Sequence, residues 1–112
     1  MKIAIPLAAG RLTMHFGHCE EFAIVEVDDI AKEITNTRIM EPPAHEPGVL
    51  PAWLYDQGAE VIIAGGMGQR AQQLFAQNGI EVLTGAPAKT PQDLVAAYLD
   101  ETLETDENVC DH

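Results

Sequence analysis

The most constraining stretch of this chain is Val61-Ile62-Ile63-Ala64, an unbroken apolar run that ends in Gly65-Gly66-Met67-Gly68 and passes into a helical pattern. A strand with no polar alternation is one buried on both faces, the situation of a parallel strand covered by helices. Ala71, Leu74 and Phe75 form the apolar stripe of a helix over residues 69–77, closed by Asn78-Gly79, and residues 80–83 read as the next strand. Two strands joined by a helical crossover run parallel. This unit commits the chain to an α/β architecture.

The flanking segments complete it. Residues 2–7 form a short apolar strand ended by Ala8-Ala9-Gly10. Residues 21–27 and 33–39 form two more, joined by a turn at Asp28-Asp29 and pairing antiparallel as a hairpin. Prolines exclude regular structure from residues 40–48 until Pro47 or Pro51 opens a helix. Leu50, Trp53 and Leu54 give that helix its apolar face, and Gly58 stops it. Thr90-Pro91 starts the last helix, with Leu94, Val95, Tyr98 and Leu99 inward. The expected order is βββαβαβα: a mixed five-stranded sheet, its first three strands antiparallel and its last two parallel, with helices packed on it.

At 112 residues, 46% of them hydrophobic, the chain holds enough apolar material for one domain with its own core. Residues 1–103 are expected to form that domain and residues 104–112 an acidic flexible tail. Six Lys and Arg oppose eighteen Asp and Glu, a formal charge of −12, so the surface repels nucleic-acid phosphates and anionic lipid headgroups. No apolar run approaches the ~18 residues of a membrane span, and the first residues read as a strand, not a secretory signal. Neither nucleic acid nor membrane is an expected partner, and the cytoplasm is the expected compartment. Two cysteines, Cys19 and Cys110, are too few for a four-thiolate cluster within one chain.

Three constellations could carry chemistry. The loop Arg11-Leu12-Thr13-Met14-His15-Phe16-Gly17-His18-Cys19 holds imidazole, thiolate and thioether donors, the set that soft or borderline metals choose. Gly17, between the two histidines, permits a tight turn or a close backbone approach to a ligand. The turn Gly65-Gly66-Met67-Gly68-Gln69-Arg70-Ala71 formally satisfies G-x-G-x-x-A, but no acidic residue follows to hold a ribose; Thr84-Gly85-Ala86 stands there. What remains is a glycine-lined helix start that favours an anion, with Arg70 beside it. The third is Cys110-Asp111-His112, whose Cys and His could bind a metal. His45, in the proline-rich loop, completes the histidines. An enzyme is not expected: the chain has no Ser, and no third group orients a Cys19–histidine dyad.

His15-Phe16-Gly17 after a first strand, Glu21-Phe22, the run from Val61 to Gly68 with Arg70-Ala71, and Asn78-Gly79-Ile80-Glu81-Val82 together resemble the dinitrogenase iron–molybdenum cofactor biosynthesis family. That family includes nitrogenase cofactor carriers and small orange proteins that hold molybdenum–copper sulfide clusters. The resemblance implies a three-layer, ribonuclease H-like fold without nuclease chemistry and non-catalytic binding of an anionic Mo/Fe or Mo/Cu sulfide cluster. It places a candidate ligand at His15, and a binding pocket from Arg11, His15, Phe16, Gly17, Gly65, Gly66, Gly68 and Arg70. His18, Cys19, Cys110 and His112 are added as candidate metal ligands. Thr13-Met14 stands where a Ser is common, and His45 is not followed by two glycines; these departures favour an orange-protein-like binder over a nitrogenase role. Expected partners are cluster donor and recipient proteins. Two alternatives stand beside this reading: a regulatory or scaffold partner of a P-loop ATPase, and a simple Zn²⁺ or Cu⁺ binder. If the carrier reading holds, the loop 11–19 and the glycine turn must lie together at one end of the sheet.

Overall fold

The fold was described from a computed structural model, over residues 1–43, 48–103 and 105. The elements are β1 (Lys2–Ala8), β2 (Arg11–Leu12), a 3-10 turn (Phe16–His18), β3 (Glu21–Asp28), β4 (Glu33–Met40), α1 (Val49–Asp56), β5 (Ala59–Ile63), α2 (Gln69–Gln77), β6 (Glu81–Leu83) and α3 (Pro91–Leu99). The strands lie in the order β4-β3-β1-β5-β6, with β2 pairing onto β1 outside that path. β1–β3 and β3–β4 are antiparallel, whereas β1–β5 and β5–β6 are parallel. The mixed sheet is as expected, except that it has six strands and not five.

The sheet is covered on both faces, which explains why its central strands lack polar alternation. Ile3, Ile5, Ala23, Val25, Val61 and Ile63 pack on one face with Leu94, Val95 and Leu99 of α3. Ala4, Phe22, Ile24 and Ile62 pack on the other with Leu50 and Leu54 of α1 and Phe75 of α2. Each helix has a local reason to start or stop. Thr90 caps α3, its hydroxyl accepting from the Asp93 amide at 3.3 Å with Pro91 in the first turn. Gly58 ends α1 and Gly79 ends α2, both with positive φ. None of these helices is long and apolar enough to cross a membrane.

The unexpected strand β2 is made by a two-residue hairpin turn. Ala8 pairs with Arg11, and the intervening Ala9 and Gly10 have φ of 55° and 80°. Positive φ at both positions is the backbone of a type I′ turn, where Asn-Gly is favoured and alanine is strained. Ala9→Asn should therefore stabilise the fold by about 1 kcal/mol, read as a raised urea midpoint with an unchanged m-value. A lowered midpoint would mean that Ala9 is not held in this conformation.

Pro6 decides what happens at the carboxyl end of the sheet. β1 and β5 pair only through Lys2, Ile3 and Ala4. The next residue of β1 that faces the β5 side is Pro6, which has no N–H to continue the ladder. Its carbonyl accepts instead from the Thr13 amide, at 3.0 Å. Residues 13–16 thus enter the sheet where β1 and β5 part, and the chain's next bonds are made to the glycine turn.

Candidate functional site

The two segments singled out in the sequence are joined by backbone hydrogen bonds. Gly66 N–H donates to the Met14 carbonyl at 2.8 Å, and Phe16 N–H donates to the Gly66 carbonyl at 2.9 Å, a parallel bridge between His15 and Gly66. The approach is close because Gly65 has no side chain: a Cβ there would lie 2.9 Å from Met14 Cα and from the Thr13 carbonyl oxygen. A third segment completes the junction. Gly85 N–H donates to the Gly65 carbonyl at 2.6 Å, and Leu12 N–H to the Lys89 carbonyl at 3.0 Å. The site thus lies at the carboxyl ends of the parallel strands, where the chain leaves β1 toward β3 but leaves β5 toward β6. Such a reversal opens a crevice in α/β sheets, the usual place for ligands.

Within this junction the expected residues take different roles. His15 is exposed, with extended backbone (φ −129°, ψ 112°) at the start of the 3-10 turn. Thr13 is buried, and its hydroxyl donates to the His15 carbonyl at 3.1 Å and accepts from the His15 amide at 3.4 Å. Sequence reasoning missed this residue, although a Thr two positions before a candidate ligand fits a local side-chain-to-backbone bond. Phe16 is an anchor: its ring meets Phe75 edge-on at 5.5 Å and Phe22 at 6.1 Å. Gly17 is exposed. Arg11, at the end of the β1–β2 hairpin, and Arg70, in the first turn of α2, are also exposed.

Two expectations need correction. Cys19 is 6% exposed and packs in the core with Ala4, Phe22, Met67 and Phe75. Burial pushes its thiol up to about 11, only partly countered by its own backbone N–H. Its side chain lies among core residues and not on the exposed surface with His15. Gly66, placed in the binding pocket by the resemblance, has its N–H and C=O both engaged with residues 14 and 16 and so offers neither to a ligand. Gly65 and Gly66 shape the junction, and the Gly66 amide is not available to line it.

Amides without a helical acceptor occur instead at the start of α2. Gln72 makes the first bond of that helix, to the Gly68 carbonyl at 3.1 Å, so Gly68, Arg70 and Ala71 have no intrahelical acceptor. No side chain caps this end, and no acidic residue occupies its first turn. The Gln72 side chain instead donates to the Met67 carbonyl at 2.8 Å and braces the turn from within. The result is an uncapped, electropositive helix start at the end of the turn that His15 bridges.

Among the described residues, no group of three or more His, Cys, Asp or Glu side chains could hold a metal ion. The side chain of His18 and all of His45, Cys110, Asp111 and His112 lie outside the described residues. The donor set that is present, one imidazole and a helix start with free amides, suits an anion more than a bare divalent cation.

A mixed sheet covered by helices on both faces, with a histidine loop inserted at its parallel carboxyl ends, defines a three-layer α/β fold. The chain belongs to the dinitrogenase iron-molybdenum cofactor family, whose model matches residues 1–101. It is 37% identical over 109 residues to the uncharacterised protein MJ0580 of Methanocaldococcus jannaschii, covering 93% of this chain and 90% of that one. The crystal structure of PH0822 superimposes with a TM-score of 0.86 at 30% identity, covering 95% of each chain. The apo form of the orange protein from Desulfovibrio gigas shares the fold, with a TM-score of 0.73 at 23% identity over 96% of this chain and 93% of that one.

Proposed function

We propose that this protein is a non-catalytic carrier of an anionic metal–sulfur cluster of the Mo/Fe or Mo/Cu sulfide type, exchanged with donor and recipient proteins. The observation that carries this reading is the His15–Gly66 bridge, which pairs the exposed His15 with the turn that runs into the uncapped start of α2. A thiomolybdate-type cluster is an anion, and on a chain of −12 it needs local positive features. The α2 amides, with Arg70 and Arg11 as exposed cations, supply them. His15 serves as the direct ligand, and the family name supports cofactor handling as the task.

The test is reconstitution under anaerobic conditions. Purified protein is mixed with tetrathiomolybdate and copper, desalted, and examined by visible spectroscopy and elemental analysis for Mo, Fe, Cu and Zn. Charge-transfer bands with stoichiometric Mo are expected in the wild type and lost in His15→Ala, with the thermal midpoint unchanged because His15 is exposed. A colourless protein that retains no metal would overturn the carrier reading and turn attention to an ATPase partner.

A further inference from the structure

We infer that the outer edge of β4 pairs antiparallel with the same edge of a second copy of this chain, about a two-fold axis beside Ile39. The inference does not depend on the carrier reading. β4 ends the strand order, and among the described residues no strand lies outside it. Its neighbours fix the direction of its backbone groups. Val27 N–H donates to the Met1 carbonyl, so odd-numbered residues of β3 bond toward β1 and even-numbered ones toward β4. Phe22, Ile24 and Glu26 pair with Met40, Arg38 and Asn36, which directs the N–H and C=O groups of Thr37 and Ile39 away from the sheet. The opposite edge, β6, is protected by its length of three residues, whereas β4 has eight and no proline. Ile39 is 52% exposed.

The sequence of the edge selects its occupant. An axis perpendicular to the sheet sets residues of the same parity opposite each other, because side chains alternate between faces. Centred on Asn36 or Thr37, the pairing would run into Thr35, the extra residue of a bulge, whose hydroxyl donates to the Glu26 carbonyl at 3.1 Å. Centred on Arg38, it would oppose two guanidinium groups. Centred on Met40, it would set Pro43, which has no N–H, against Thr37. Centred on Ile39, it sets Ile39 against Ile39, Arg38 against Met40 and Thr37 against Glu41, with no like charges directly opposite. That register forms about six main-chain hydrogen bonds and covers the exposed isoleucine. Arg38 and Glu41 cancel within residues 37–41, so the copies meet through a neutral strip of a chain whose charge of −12 otherwise repels its like.

Sedimentation equilibrium of the full chain tests this, from about 10 µM to about 1 mM and at about 0.05 M and about 0.5 M NaCl. A weak dimer is expected, with a Kd on the order of 100 µM, about threefold tighter at the higher salt because screening relieves the repulsion. Thr37→Pro removes an outward N–H, and Ile39→Lys opposes two cations at the axis; each should weaken association at least about tenfold. Urea midpoints report whether the variants fold, and if Thr37→Pro does not, Ile39→Lys carries the test. In the wild type, the Thr37 and Ile39 amides should gain protection from hydrogen exchange as concentration rises. A wild type that stays monomeric at the highest concentration and salt overturns the inference. So does association that weakens with salt, which would mean contact between oppositely charged surfaces, or a folded Thr37→Pro variant that associates as wild type does.

Discussion

Gly65→Ala is expected to destabilise the protein by about 2–3 kcal/mol, in the range of overpacking in a site that cannot relax. The new Cβ would sit 2.9 Å from two backbone atoms, Met14 Cα and the Thr13 carbonyl oxygen, so no side-chain rotation can relieve it. One of the two segments must move, and the bonds of Gly66 to Met14 and Phe16 are the ones at risk. Hydrogen exchange should therefore show lost protection at the Phe16 and Gly66 amides beyond the global loss. A midpoint within error of wild type, with both amides still protected, would mean that the junction has more room than the structure gives it.

Phe16→Ala should have a comparable effect by another route. Phe16 is half-buried and makes edge-to-face contacts with Phe75 on α2 and Phe22 on β3, and Phe22 in turn meets Trp53 of α1 at 5.8 Å. Truncation removes the ring that ties the histidine loop to α2 and β3, at an expected cost of about 2–3 kcal/mol, below that of a fully buried phenylalanine. His15→Ala, one residue earlier, should leave the denaturation midpoint where it is. Urea titration of the two variants side by side separates the anchoring ring from the exposed imidazole; equal destabilisation would mean that the His15 side chain also holds the loop in place.

Much of this architecture can be read from residues alone. The α2 boundaries follow from the stripe Ala71, Leu74 and Phe75 between a glycine turn and Asn78-Gly79, and α3 follows from Thr90-Pro91. These are local signals, set within one or two turns of helix. The junction is different in kind. Its bonds are made by backbone groups of residues 14, 16 and 66, which carry no side-chain signature of their partners. The sequence does hold a hint in Pro6, a proline in what otherwise reads as a central strand. Cys19 illustrates the opposite error: its company of histidines looks like a ligand set, but the 3-10 turn directs it into the core beside Phe22. β2, two residues long, has no periodicity to detect.

The proline that ends the β1–β5 ladder also fixes when a binding surface can exist. The bonds across the junction join residues 16 and 66, fifty positions apart, and close only when the central strands are already registered. No fragment of the chain, and no partly folded form lacking β5, presents both sides. Anything held across that junction binds the native state alone, so its occupancy and the folding equilibrium are linked: saturation at a hundred times the dissociation constant adds about 2.7 kcal/mol to stability. Unfolding, conversely, releases whatever is held there in a single cooperative event.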